Sequence, residues 1–365
     1  SGGVVSTVAT NSSDFAINGD YRYVSPTGGD IYPYSLPAWA ATDIQDAIDA
    51  AGKGDSIMVA AGTYNYSISV NKAVFLFGGW DPGFTSKDPA ANLTTISGSG
   101  SVVSFTSGNP DLSGIDGFTI TGGSGTNIYM PVLGNYGAGI FSYGSSPVIR
   151  NNDIIGCGFV NATTYSAGGG IACYDGTVVI EDNLIDGCRA QTGGGIYLYQ
   201  VAATVSGNTI TGSSPDPSYT GTKSGGGIYA AQSTLDAQDN LIDGNSGYAR
   251  GGGIFLRFTP ATLSGDTVSG NAATSGGGGI ESERGSLSLA GVSVTGNQTA
   301  GSGGGLYHKY GALDIENSLI AMNESASIAG GIYADSTWGS WTNNTIDRNR
   351  TAFAGGNIFL SNIVT

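Results

Sequence analysis

Apolar and polar positions along this chain recur in long blocks. Each block opens on a glycine run followed by an aliphatic residue: Ile140, Ile171, Ile196, Ile228, Ile254, Ile280, Leu306, Ile332 and Ile358. The gaps are 31, 25, 32, 26, 26, 26, 26 and 26 residues. A period held that strictly means one structural unit stacked on itself. Inside a block the pattern has period two, so Ile254 and Leu256 point one way and Phe255 and Arg257 the other. The next inward column reads Cys173, Leu198, Ala230, Leu256, Ser282, His308, Ala334 and Leu360. A second strand supplies pairs such as Leu287 and Leu289, and a third supplies Ile185, Ile210, Ile242, Val268, Val294, Ile320 and Ile346. Three inward columns per block define a triangular tube, and no block holds a helical period.

The pattern predicts an all-β chain: a single-stranded right-handed parallel β-helix of about a dozen coils, residues 57–365. Residues 1–20 read as an N-terminal arm and residues 21–56 as a cap. The cap holds a helix over 42–51, with Thr42 as N-cap, Asp43 and Asp46 in the first turn, and Gly52 as the stop. Such a helix plugs the open end of a solenoid.

Polar positions keep the same period. Cys157, Cys188, Ser213, Asn245, Asn271, Asn297, Asn323 and Asn349 occupy the turn after the third strand. Turns stacked ~4.8 Å apart let each Asn amide bond the next, so Asn245 to Asn349 read as an asparagine ladder. Cys157 and Cys188 share that turn position in successive coils. A disulfide between them and a pair of stacked thiols are both compatible with the spacing.

Composition narrows the function. The chain has 365 residues, 63 of them glycine, and a net charge of −15. The charge speaks against nucleic acid and anionic membrane surfaces. No apolar run is long enough to span a bilayer. No metal-ligand spacing or cofactor motif is present, so neither a metal nor a cofactor is expected. Eight Asn-x-Ser/Thr sites occur, several of them inside the Asn turn repeat.

The YVSPTG opening (Tyr23–Gly28), the IQDAIDA helix (Ile44–Ala50), the GDSIMVAAGTY strand and the repeated GGGI…N resemble bacterial right-handed parallel β-helix proteins of the pectin-lyase-like fold. The repeat is also distantly similar to those of chlamydial polymorphic outer-membrane proteins. The resemblance implies the architecture and leaves function open, because this fold hosts lyases, hydrolases, adhesins and structural proteins. The glycoside hydrolases of the fold carry clustered Asp residues and a Gly-His-Gly motif. Here the lone histidine, His308, sits in an inward column. Asp186, Asp243 and Asp347, with Arg189 and Arg250 nearby, are the outward candidates, but they assemble into no base-plus-carboxylate cluster. The expectation is a non-enzymatic protein.

Two surfaces remain as binding candidates. One is an aromatic stripe beside the inward Ile column: Phe141, Tyr197, Tyr229, Phe255, Tyr307, Tyr333 and Phe359, widened by Tyr143, Tyr174 and Tyr199. Stacking for its own sake and binding of flat sugar faces both account for it. The other is a set of loops from one corner, residues 124–136, 158–167 and 213–224. Finally, Val4, Val5 and Val8 at one end, and Ile358, Phe359, Leu360 and Ile363 at the other, lie in uncharged β-prone segments suited to edge pairing. The leading expectation is a secreted or cell-surface structural protein that joins itself head to tail in a filament or adhesive layer. The alternative is a polysaccharide-binding or polysaccharide-degrading β-helix with extracellular glycan as its partner.

Overall fold

The computed structural model describes residues 19–106, 113–129, 132–159, 164–215 and 221–363. Val4, Val5 and Val8 therefore lie outside the described residues. The chain winds into a right-handed parallel β-helix with three main faces. Face one carries the strands that open on the repeated aliphatic residue, such as Ile254–Arg257. Face two follows with strands such as Ala261–Ser264. Face three closes the coil with three-residue strands such as Thr267–Ser269 and forms an 11-stranded parallel sheet. Faces one and two merge into one 20-stranded sheet. They do so because Ile171–Glu181, Ile196–Ser206 and Leu306–Glu316 run through the corner as single 11-residue strands.

Register is kept rung by rung. Ile228 pairs with Ile254, Ile254 with Ile280, Ile280 with Leu306, and Leu306 with Ile332. All are fully buried in a single continuous core. A one-residue slip would turn this whole column outward, so the buried column fixes the register.

The corners are made by left-handed residues, and most at the first corner are not glycine. Asp175, Gln200, Gln232, Phe258, Arg284, Tyr310 and Ser336 all have φ between 51° and 61° where face one turns into face two. Each side chain is thereby thrown outward at the same place in every coil. The glycine run acts differently. Gly251 has φ +54°, but Gly253 does not need a left-handed backbone. A Cβ on Gly253 would lie 2.8 Å from the Gly279 carbonyl oxygen, so glycine there permits the close stacking of coils.

Two ladders of buried amides run along the tube. At the corner after face three, the backbone N–H and Nδ2 of Asn245 both donate to Asn271 Oδ1, at 3.0 Å each. Asn271 does the same to Asn297, Asn297 to Asn323, and Asn323 to Asn349. The second Nδ2 hydrogen goes to a carbonyl of the preceding coil, as from Asn271 to Ile242. Asn357 accepts from Asn349 and completes the run. Cys157 and Cys188 are free thiols at the head of this column. Their Sγ atoms donate to the Ile120 and Ile154 carbonyls, each at 3.5 Å, in the place of the amide. A second ladder, not recognised in the sequence, stands between faces two and three: Asn152, Asn183, Asn208, Asn240 and Asp266.

The N-terminal region departs from expectation in two ways. The helix is Ile44–Ala50, and its N-cap is Asp43, whose carboxylate accepts from Gln45 N at 2.6 Å. Thr42 is one residue too early, because the cap's side chain must reach forward to an N–H in the first turn. The segment before it is part of the sheet: Tyr21–Val24 pairs in parallel with Ser56–Val59. Among the described residues, β-structure thus begins at Tyr21, well ahead of residue 57. Two short additions also lie outside the three-strand reading. A fourth, four-stranded ladder follows the Asn corner, and a hairpin of Thr126–Tyr129 with Leu133–Tyr136 crosses face one.

Replacing Asn271 with Ala strips two buried donors of their acceptor and one buried carbonyl of its donor. We expect a loss of at least about 3 kcal/mol in unfolding free energy, from three orphaned buried groups at ~1–3 kcal/mol each. Asn92→Ala, half-buried and outside both ladders, should change little. Denaturant titration of both variants checks this, and equal effects would refute the ladder's role.

Candidate functional site

Face one exposes two outward columns. The first is Phe141, Ala172, Tyr197, Tyr229, Phe255, Glu281, Tyr307, Tyr333 and Phe359. Its rings stack on one another: Tyr197 on Tyr229 at 5.2 Å and 8°, Tyr307 on Tyr333 at 4.8 Å and 3°, Tyr333 on Phe359 at 5.6 Å and 10°. The stack is broken at Ala172 and Glu281. Phe141, Tyr197 and Phe255 are each only 2% exposed. Phe141 and Tyr197 pack under the hairpin with Tyr136. A sugar cannot lie flat on these rings, because their faces are already occupied by their neighbours and by the loops. In this column the rings are one another's stacking partners.

The second column, Tyr143, Tyr174 and Tyr199, is more open. Tyr174 and Tyr199 stack at 5.3 Å and 12°, and Tyr143 is 43% exposed. The column continues through Ala231, Arg257, Glu283, Lys309 and Asp335. Its polar edges face solvent, while its ring faces look along the tube axis.

Where these columns meet the hairpin, a depression of about 560 Å³ opens. It is lined by Val132, Tyr165, Tyr197, Tyr199, Tyr229, Ala231, Gln232, Arg257 and Phe258. The tyrosines and Ala231 make its floor. Val132 approaches from the hairpin on one side. Phe258, thrown outward by its left-handed backbone, makes the other wall, with Gln232 beside it. The Arg257 guanidinium lies 5.4 Å from the Phe258 ring, and Arg284 lies 5.5 Å from both Phe258 and Tyr310. Burial pushes the Tyr165, Tyr197 and Tyr229 hydroxyls up, so they are neutral donors and acceptors, not phenolates. A second depression of about 370 Å³ lies on the same face nearer the helix. It is lined by Gln45, Ser69, Ser104, Thr126, Phe141 and Tyr143 among others.

The predicted loops divide. Residues 124–136 hold the hairpin. From 158–167, Tyr165–Ala167 adds to it as a parallel third strand. Of residues 213–224, 216–220 lie outside the described residues.

The acidic candidates do not converge with a base. Asp186, Thr211 and Asp243 are successive rungs of face three, and Asp243 accepts from Ser269 Oγ at 2.6 Å. Asp347 is far down the same face, and Arg189 is exposed at its edge. Arg250 is engaged elsewhere: it pairs with Glu281 at 2.5 Å and with Glu283. Glu281 is buried and also accepts from Gly251 N and Gly277 N at 3.2 and 3.1 Å. Burial works against the Arg250 charge, but the two carboxylates outweigh it and raise the guanidinium further. His308 is buried inside the tube, with Nε2 3.2 Å from the Gly311 carbonyl oxygen. Burial holds it below its ordinary range. Among the described residues, no three His, Cys, Asp or Glu side chains are gathered where they could hold a metal ion. The end residues Ile358, Phe359 and Leu360 form the last described strand, paired with Ile332–Asp335, and Ile363 follows it partly exposed.

Sequence reasoning missed Gln232, Arg257 and Phe258. The corner column Gln200, Gln232, Phe258, Arg284 and Tyr310 keeps the period, so a signal existed. Alternation alone hides it, because a left-handed residue interrupts the strand pattern. It also missed Asp116, buried between Lys87 at 2.6 Å and Arg150 at 2.7 Å, which ties the early coils together.

Residues 92–272 match the family described as right handed beta helix region. No curated protein matches the chain. Solved structures similar to it include the A-module of mannuronan C-5 epimerase AlgE4 from Azotobacter vinelandii, at 15% identity and TM-score 0.38, covering 87% of this chain and 94% of that one. Pectate lyase Pel9A is another, at 13% identity and TM-score 0.39, covering 93% and 81%. Among the described residues, no helix is long and apolar enough to cross a membrane.

Arg250→Ala leaves Glu281 buried without its cation. We expect a loss of about 3–5 kcal/mol in unfolding free energy. The double variant Arg250→Met, Glu281→Met should recover most of it. Denaturant unfolding of single and double variants tests this, and a double variant no better than the single would show the pair is not the unit.

Proposed function

We propose that this right-handed parallel β-helix is an extracellular glycan-binding protein that holds a polysaccharide along its axis on face one. The depression walled by Val132 and Phe258 over the tyrosine floor carries this reading. A pyranose ring has apolar faces and hydroxylated edges. Set on edge, it meets apolar walls with its faces and tyrosine hydroxyls with its rim. Coils rise ~4.8 Å, close to the rise of one sugar in an extended β-linked chain, so successive sugars meet successive coils. Gln232 and Arg257 supply the directional contacts at one rim. Binding without turnover fits the site, since Arg250 is engaged by Glu281 and Glu283 and the face-three aspartates lie on another side of the tube.

A second reading keeps end-to-end self-association in a filament or surface layer. Inward positions Ile358 and Leu360 of the last described rung are 37% and 50% exposed. They accept a further rung, of this chain or of a second copy. Sedimentation at rising concentration tests it: one species throughout would end that reading.

The glycan reading is tested by titrating extracellular polysaccharides, neutral and acidic, against the full chain. Tyr199→Ala and Arg257→Ala should each weaken binding by about tenfold or more, a loss of ~1.4 kcal/mol, with circular dichroism unchanged. Asp186→Asn, on face three, should bind as the parent does. Equal binding by the face-one variants, or product formation abolished by Asp186→Asn, would overturn it.

A further inference from the structure

The ladder between faces two and three contains one residue that breaks its chemistry. In each asparagine rung, the backbone N–H and Nδ2 donate to Oδ1 of the next coil. The other Nδ2 hydrogen donates back to a face-two carbonyl: Asn183 to Ile149, Asn208 to Ile180, Asn240 to Val205. Asp266 takes the next position, fully buried. Its Oδ1 accepts from Asn240 N at 2.9 Å and from Asn240 Nδ2 at 2.8 Å. Its Oδ2 is buried and has no hydrogen-bond donor. By register that oxygen stands where the amide nitrogen of an asparagine would face the Ala237 carbonyl, since Val205 pairs with Ala237 and Ala237 with Leu263. Two bare oxygens facing each other in a dry corner repel, whereas one proton between them makes a hydrogen bond. On the far side the ladder stops, because Val292 offers no acceptor and its own N–H turns to Ser318 Oγ.

We propose that Asp266 is a neutral carboxylic acid standing in for an asparagine, its Oδ2–H donating to the Ala237 carbonyl, and that its ionisation destabilises the rod at this rung. Burial pushes the carboxyl up to about 6 against the hydrogen bonds from Asn240 and a weaker backbone contact from Ser264 that oppose it, and Asp239 on the adjoining corner pushes the same way as burial. On the next rung the facing residue is Val292, which carries no charge, and Asn240 on the preceding rung is neutral. A folded-state value raised above that of the unfolded chain gives stability that is fully present below the ordinary carboxylate range. It is lost as pH rises through about 6.

The test is thermal unfolding of the full chain from about pH 3 to pH 8 for the parent, Asp266→Asn and Glu281→Gln. Glu281 is the comparison because burial pushes it up to about 7. Asp266→Asn should match the parent only below about pH 4, melt several degrees higher at pH 8, and lose the pH-dependent component that lies between the ordinary carboxylate range and about 6. Glu281→Gln should keep that component. Carboxyl carbon resonances give a second readout: one titrating near 6 should vanish in Asp266→Asn. A variant that gains nothing at pH 8, unfolds at every pH, or leaves the titration in place would overturn the proposal.

Discussion

Stacked amides satisfy the buried corners of this rod, and the rest depends on them. A parallel β-helix repeats a rung every ~4.8 Å, and its corners leave backbone N–H groups and carbonyls with no strand to pair. An asparagine at the corner satisfies two of them at once, together with its own amide: an N–H and the amide find the next Oδ1, and a carbonyl behind it receives the other hydrogen. Every bond to an Oδ1 in the two ladders points the same way along the tube, and the bonds to carbonyls of the preceding coil point back. The cysteines at the head of one ladder repeat the backward bond with a weaker donor, which explains their place there as thiols.

Given that scaffold, what varies is cheap to vary. Residues thrown outward at the left-handed corners touch neither core nor ladder, so Gln232, Phe258, Arg284 and Tyr310 are free to carry surface chemistry. The hairpin across face one uses the same freedom: a longer connection leaves the tube and returns without changing register. The depression arises where these two departures from the repeat meet, and neither alone would make a walled site.

The outward aromatic stripe shows how packing constrains function. Rings one rung apart satisfy one another, and a satisfied ring face is not available to a ligand. What remains is the rim, a row of neutral hydroxyls beside a guanidinium. The break at Glu281 shows the converse. A carboxylate in the stack has no ring to meet and is held instead by Arg250 and two glycine amides.

Period and alternation in the sequence were enough to determine the architecture. The Ile column, the three inward columns and the corner asparagines follow from the 26-residue spacing, because a stacked tube transmits one local rule to every coil. The inner ladder through Asn208 and Asn240 was equally periodic, but its residues look like ordinary strand-flanking polar positions until the corner geometry shows them buried. Tertiary structure alone decided three things. Asp43, not Thr42, caps the helix, since capping turns on one residue of backbone geometry. Ring faces along the stripe are hidden, since exposure depends on which loop folds over which rung. Arg250 belongs to Glu281 on face one and not to the aspartates of face three, since sequence gives the coil to which a side chain belongs but not the neighbour it reaches.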